Sequence, residues 1–384
     1  MEWWQVLLGV IIGLIVLMVL VVVHELGHAL AAIRGGVKVE EFAIGFRPRA
    51  WATKLKRDFI LKKGTVFSLN WLPIGGFCAM KGETDDAREK GSYGSASLWV
   101  KAKILLAGVT FNFLLAVVIF IVMSVVGMPK LIEGQFMMPD TVVERSPVLV
   151  ATVGEDSPAA AAGLVVGDTV ISLNDTPMIE ATDLSGFTKA HGGQEISLVY
   201  QHDKETITKT VVLNDNPGGI GNIGVAVSNS TTYRSGFGAL IAGPVTTVQF
   251  LGVTLEGLWQ LFVNLFTGIA GTIIGTDYAS NLAAAGDSVA GPVGILGTIF
   301  PAAVSGGIIE ILLITGLLSL SFAIMNIIPI PGLDGGRLYL TLFFRFILRK
   351  PLTEATEAKI NGIGMLILFG LMILVTILDV FRLL

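Results

Sequence analysis

The chain has 384 residues, 53% of them hydrophobic and only 15% charged, with a mean hydropathy of +0.75. That balance excludes an ordinary soluble domain and predicts a polytopic α-helical membrane protein. The formal net charge of −4 is unevenly divided: Arg34 to Lys103 holds 14 Lys/Arg against 7 Asp/Glu, whereas Pro129 to Glu310 holds 6 against 17. Basic loops stay on the cytoplasmic side, so the first stretch is expected inside and the second outside. No basic face for nucleic acid is indicated. Cys78 is the single cysteine, so no intramolecular disulfide can form.

The first element is an apolar run of 18 residues from Val6 to Val23, resuming at Ala29 to Ile33. It is long enough to cross hydrocarbon. Met1 to Gln5 carries no positive charge, so the run reads as a retained span with the N-terminus outside, not as a signal peptide. Inside it lies His24-Glu25-Leu26-Gly27-His28, an HExxH motif. Two His four residues apart on a helix lie about 40° apart on one face and can reach one Zn²⁺. Glu25 is placed to take a proton from water rather than bind the metal. Ionisable groups in an apolar helix are costly there and mark function.

The basic loop that follows carries Phe59–Leu61 and Val66–Trp71 around Lys62-Lys63-Gly64-Thr65, a hairpin signal. Leu72 to Met80 is apolar but broken by Pro73, Gly75 and Gly76, and reads as a sheet edge or loop dipping toward the membrane. A second span is expected at about Ile104–Val126, closing a first region of residues 1–128.

Residues 140–228 read as a soluble α+β module. Val148–Val153 is a strand, Ser157-Pro158 starts a short helix ended by Gly163, and Gly167-Asp168 turns into a strand ending near Asn174. The run Ser157, Pro158, Ala162, Gly163, Leu164, Gly167, Asp168, Ile171 and Asn174 resembles a PDZ domain, which implies a sheet edge that can take an extended segment or a partner's chain end. His191 and His202 lie in this module and read as ordinary surface residues.

Residues 229–300 form a connecting region. Phe237 to Ile274 is apolar but carries Thr246, Gln249, Glu256, Gln260 and Asn264, and is expected to lie on the outer surface as an amphipathic helix. Residues 301–384 carry the third and fourth spans, at about Ile308–Ile328 and Ile360–Leu378. The loop between these two is basic and expected inside, so both termini lie outside. Four spans, a membrane-associated β hairpin or loop and one inserted PDZ-like domain complete the expected architecture.

Zinc needs a third protein ligand beside an open position. The strongest candidate is Asp334, in Asn326-Ile327-Ile328-Pro329-Ile330-Pro331-Gly332-Leu333-Asp334-Gly335-Gly336, although on these residues alone a solvated Asp at a Pro/Gly-rich loop exit is the better reading. Pro329 and Pro331 break the third span, which is tolerable at membrane depth only beside a polar cavity.

Together these features resemble the site-2 protease family of intramembrane zinc metalloproteases, in its bacterial regulator-of-sigma-E branch with one PDZ domain. The matches are HExxH in the first span, NxxPxPxxDGG after the third, Gly75-Gly76-Phe77 and Gly291-Pro292-Val293-Gly294. Gly108-Val109-Thr110-Phe111-Asn112-Phe113 corresponds to the family's GPxxNF motif, with Val109 in place of Pro. The resemblance implies one Zn²⁺ held by His24, His28 and Asp334, with Glu25 as catalytic base. It implies Asn326 as a contact for substrate backbone, with Asn112, Gly75, Gly76, Pro329 and Pro331 supporting the site. The implied activity is a metalloendopeptidase of the bacterial inner membrane that cuts transmembrane segments of single-span proteins, such as anti-sigma factors or signal-peptide remnants. The active site would lie near the cytoplasmic side. Two other readings stay open from the residues alone: a catalytically idle scaffold whose PDZ-like module binds partner tails, and a metal transporter. Zinc content measured beside peptidase activity separates all three.

Overall fold

The apolar run becomes one 32-residue helix, α1 (Trp3–Arg34), roughly 48 Å long at the usual rise and so longer than the hydrocarbon core. This is the computed structural model of the chain; it describes residues 2–215, 222–274, 281 and 289–383. One unit comprises Met1–Met123 with Leu240–Leu384, and a second comprises Ser124–Ala239. The buried positions of α1 are Gly9, Gly13, Leu20, His24, Gly27, His28, Ala29 and Ala32. They recur at helical spacing, so one mostly small face admits neighbouring helices at close range.

Two long bent strands follow, β1 (Val39–Lys54) and β2 (Val66–Met80). Ala43 lies opposite both Phe77 and Ser68, and Trp51 lies opposite Leu69. Val66–Trp71 is a strand as expected, but its partner is Val39–Lys54 and not Phe59–Leu61, which forms no strand. Of the two readings of Leu72–Met80, sheet edge or loop, the strand is the one found, as a continuation of β2. Gly75 takes φ +87°, which lets the strand bend despite Pro73. Helix α2 (Leu98–Val126) completes this half of the unit.

The second unit is β-rich. It holds β3 (Met128–Pro129), β4 (Val142–Arg145), β5 (Val148–Val153), α3 (Pro158–Ala161), β6 (Thr169–Leu173), β7 (Thr176–Pro177), α4 (Ala181–Ala190), β8 (Glu195–His202), β9 (Glu205–Val212), β10 (Val225–Ser228) and β11 (Thr231–Arg234). Its main sheet runs β10-β5-β6-β8-β9, with β7 on β6, and a small sheet runs β3-β11-β4. Val150, Leu173, Leu184, Leu198 and Ile223 are among the core side chains. Ser157 caps α3 by accepting from the Ala160 N–H at 3.1 Å, with Pro158 in the first turn. Asp168 accepts from the Val165 N–H at 2.9 Å and lies 2.7 Å from His202 Nδ1. The Ser-Pro and Gly-Asp signals in the sequence are thus a helix cap and a turn clamp.

Helix α5 (Ala239–Ile274) follows, then a short apolar helix α6 (Pro292–Gly306), α7 (Ile308–Ile327), α8 (Asp334–Leu342) and α9 (Glu354–Leu383). Among the described residues, five helices are long and apolar enough to cross a membrane: the four expected ones and Ala239–Gly268 of α5. Helix α6 packs on α1 where glycines leave room. A Cβ at Gly9 would lie 2.5 Å from Pro301, and one at Gly13 would lie 2.7 Å from Leu296 and Phe300. Asp379 of α9 accepts from the Gly294 N–H at 2.7 Å and the Gly291 N–H at 3.2 Å, capping the start of α6.

Candidate metal centre and active site

His24 and His28 share one face of α1, one turn apart, and both are buried. Their Nε2 atoms are 3.1 Å apart. Helix α2 comes very close on this side. A Cβ at Gly27 would lie 2.5 Å from the Ala107 carbonyl oxygen, so only glycine admits the crossing. Gly108 lies directly over the imidazoles: a Cβ there would meet His28 Nε2 at 2.5 Å, His24 Cε1 at 2.6 Å and His24 Nδ1 at 2.8 Å. His28 Nδ1 donates to the Ile104 carbonyl at 2.7 Å, which orients its ring.

The third group arrives from more than 300 residues away. Helix α7 ends at Ile327, and Ile328 is extended, as a residue before proline prefers. The Pro329–Pro331 segment then turns through Gly332 at φ +98°. Asp334 opens α8. Gly335 and Gly336 lie against the backbone of Ile327 and Ile330: a Cβ at Gly335 would lie 2.5 Å from Ile327, and one at Gly336 would overlap the Ile330 carbonyl. Any side chain there would push Asp334 off the site. Pro331 is seated in turn against Gly364 of α9. Asp334 Oδ2 lies 2.8 Å from His24 Nε2 and 3.0 Å from His28 Nε2.

These donors fit zinc. Two nitrogens and a carboxylate oxygen converge with all ligand atoms within 4.8 Å of one another. Bonds of about 2.0–2.1 Å in tetrahedral geometry separate ligand atoms by roughly 3.3 Å. The observed 2.8, 3.0 and 3.1 Å need to open by only a few tenths of an ångström.

Glu25 is half-buried beside this triad, and the Cys78 backbone N–H donates to its carboxylate. A Cβ at Gly76 would lie 3.8 Å from Glu25 Cγ and 2.8 Å from the Ala43 carbonyl oxygen, so β2 runs bare past the acid. Gly75, next to it, faces the Phe46 ring. Asn112 is fully buried in α2, its Nδ2 3.4 Å from His24 Nδ1. Asn326 sits on the last turn of α7 and donates to the Phe322 carbonyl at 3.0 Å. The geometry therefore brings His24, His28, Asp334, Glu25, Asn112 and Gly76 together, with Gly75 next along β2 and turned to Phe46. Asn326, Pro329 and Pro331 belong to the segment that carries Asp334.

A polar network braces the loop ends of these helices. Asp85 lies 2.9 Å from Arg345 Nε and receives the Lys101 ammonium and the Leu352 N–H. Burial pushes the Asp85 carboxyl up, but hydrogen bonds from Lys101 and Arg345 outweigh it and hold it below its ordinary range. Arg337, one turn after Asp334, pairs with Glu357 at 2.6 Å and Glu83 at 3.3 Å, and its guanidinium stacks over Tyr93 at 4.8 Å. In the sequence, these residues read only as loop charges. Gly108 stands out in the sequence only as the start of the GPxxNF-like run; that it clears space for both imidazoles comes from the structure.

A model of Peptidase family M50 matches residues 12–371, and the chain belongs to that family. It is a zinc metalloendopeptidase with several membrane-spanning helices. Among its relatives, the Regulator of sigma-W protease RasP of Bacillus subtilis is 28% identical over 459 residues, covering 97% of this chain and 98% of that one. Zinc metalloprotease RasP of Bacillus licheniformis is 26% identical over 446 residues, covering 95% and 96%. The PDZ domain of an SdrC-like protein from Listeria monocytogenes is 19% identical at a TM-score of 0.19, covering 24% of this chain and 92% of that one.

Proposed function

We propose that the chain cuts peptide bonds within transmembrane segments of single-span proteins, with His24, His28 and Asp334 as the zinc ligands and Glu25 as the catalytic base. The observation that carries this reading is the convergence of two imidazoles and one carboxylate at 2.8–3.1 Å within an apolar helix face. A triad so placed has no structural need to exist, because ionisable groups at that depth are costly.

Zinc, when bound, polarises the scissile carbonyl and acidifies the attacking water. Glu25 accepts the water proton as its oxygen attacks the carbonyl carbon, and returns it to the leaving nitrogen as the C–N bond breaks. A helical substrate hides its carbonyls in i→i−4 bonds and must unwind before attack. The unwound segment adds as a strand beside Gly75 and Gly76, where β2 passes Glu25 without side chains. Asn326 contacts its backbone, and Asn112, Pro329 and Pro331 support the ligands.

The basic loops lie inside and the acidic β-rich unit outside, with both termini outside and the active site near the cytoplasmic end of α1. Helix α5 lies on the outer surface. What supports this is the polar set Thr246, Gln249, Glu256, Gln260 and Asn264 along an otherwise apolar helix. The β-rich unit and α5 screen substrates by the size of their outer domain.

The test is cleavage of a single-span protein, with and without a bulky outer domain, by intact chain and Glu25→Gln. The variant should keep its zinc while turnover falls roughly 10²–10⁴-fold. Near-normal cleavage by zinc-loaded Glu25→Gln would remove Glu25 from the role.

A further inference from the structure

Both imidazoles turn Nε2 toward Asp334, which leaves each Nδ1 to find a partner of its own. For His28 that partner is the Ile104 carbonyl at 2.7 Å. A carbonyl only accepts, so His28 carries its hydrogen on Nδ1 and keeps the Nε2 lone pair for the metal. The Nδ1 of His24 faces a different group, the side-chain amide of Asn112, whose Nδ2 lies 3.4 Å away. Asn112 is wholly buried, and its Oδ1 has no hydrogen-bond partner. The Asn112 backbone is engaged too, since its carbonyl accepts from the Ser319 hydroxyl at 2.8 Å. The residue is therefore fixed in place, while a half-turn of its amide exchanges oxygen and nitrogen at no change of shape.

We infer that Asn112 is the positioning residue for His24: its Oδ1 accepts the hydrogen on His24 Nδ1 when Nε2 holds zinc. This rests on the reading of His24 as a ligand. A neutral imidazole has one ring hydrogen. When Nε2 gives its lone pair to the metal, that hydrogen sits on Nδ1, and an –NH₂ facing it would set donor against donor. Turning the amide gives Nδ1 an acceptor and gives the partnerless oxygen a donor in one movement. The two histidines then have matched support, a backbone carbonyl behind His28 and a side-chain carbonyl behind His24. Such partners orient the ring and raise its basicity.

The test is zinc affinity of the purified full chain, measured by chelator competition. Asn112→Leu keeps the width of the side chain and removes the acceptor. It should bind zinc 10–100-fold more weakly, the usual scale for losing such a partner. Asn112→Asp keeps an acceptor oxygen and removes the –NH₂, and should bind as tightly as the unaltered chain or tighter. That rescue separates an acceptor role from mere packing. Unchanged affinity in Asn112→Leu would overturn the inference. So would an equal loss in both variants, which would make the –NH₂ the important group. Should Asn112→Leu fail to fold, judged by its melting in excess chelator, Asn112→Asp decides alone, and weakened zinc binding there overturns the inference. His24→Ala, measured alongside, should lose zinc. If it retains zinc at full affinity, the ligand reading itself fails; if it loses zinc while Asn112→Leu does not, only the role of Asn112 falls.

Discussion

Gly108→Ala adds a single methyl group to α2, and the structure gives the size of the disturbance. The new carbon would sit 2.5 Å from His28 Nε2, 2.6 Å from His24 Cε1 and 2.8 Å from His24 Nδ1, where ordinary contact begins at 3.4 Å. Something must move by 0.6 to 0.9 Å. Metal–ligand distances tolerate only about 0.2 Å. Helix α2 cannot simply retreat, because the His28–Ile104 hydrogen bond at 2.7 Å spans the same gap and would be stretched to breaking. The displacement therefore falls on the two imidazoles. Zinc affinity should drop by at least about 10–100-fold, or about 1.4–2.7 kcal/mol. Equilibrium dialysis against a competing chelator reads the affinity, and cleavage at saturating zinc reads how far activity recovers. Gly252→Ala is the control, since that helical glycine has open space around it and should leave zinc binding unchanged. Affinity in Gly108→Ala equal to that of the unaltered chain would refute the packing argument.

Asp334→Ala leaves two imidazoles and no carboxylate, so the purified variant should lose most of the one zinc per chain expected, as read by metal analysis; full occupancy would remove Asp334 from the ligand set. Asp85→Asn leaves the Lys101 ammonium buried without its counter-charge and should lower stability by about 3–5 kcal/mol, read from denaturation in detergent. Because the folded protein holds the Asp85 carboxyl below its ordinary range, its contribution is present above about pH 4 and is lost as pH falls through the lowered value. Melting of the unaltered chain should therefore drop more steeply with acid than melting of Asp85→Asn. Deleting residues 139–227 should speed cleavage of a substrate with an intact outer domain and leave a trimmed one still cut; equal rates on both before and after would remove the screening role.

What was legible in the sequence was whatever is costly out of context. His24, Glu25 and His28 interrupt an apolar run, and Pro329 and Pro331 break a span, so each marks itself by the penalty it would otherwise incur. The partner of β2 was not legible. Strand pairing is decided across the sheet, and Phe59–Leu61 lies nearer to Val66 along the chain than Val39–Lys54 does. Of that stretch only Leu61 is buried, with Phe59 and Ile60 exposed, whereas Phe42 and Ala43 are both buried in the sheet, so burial along the strand rather than loop length chose the partner.

The least legible features act by leaving space or by supplying a single acceptor. Gly291-Pro292-Val293-Gly294 stands out in the sequence only as a family match with no stated role, and Asp379 does not stand out at all. In the structure they explain one another. A buried carboxylate in an apolar helix needs donors, and the first turn of a helix has unpaired N–H groups that need an acceptor. Asp379 takes two of them, from Gly291 and Gly294. A Cβ at either glycine would lie only 2.7 or 3.0 Å from its carboxylate oxygens. Glycine is therefore what lets the cap close, and the cap fixes where α6 begins. Helix α6 in turn fills the Gly9 and Gly13 notches of α1, the helix that carries both histidines. An acid at one end of the chain thus helps set the packing of the metal-bearing helix at the other, through contacts that neither sequence motif shows by itself.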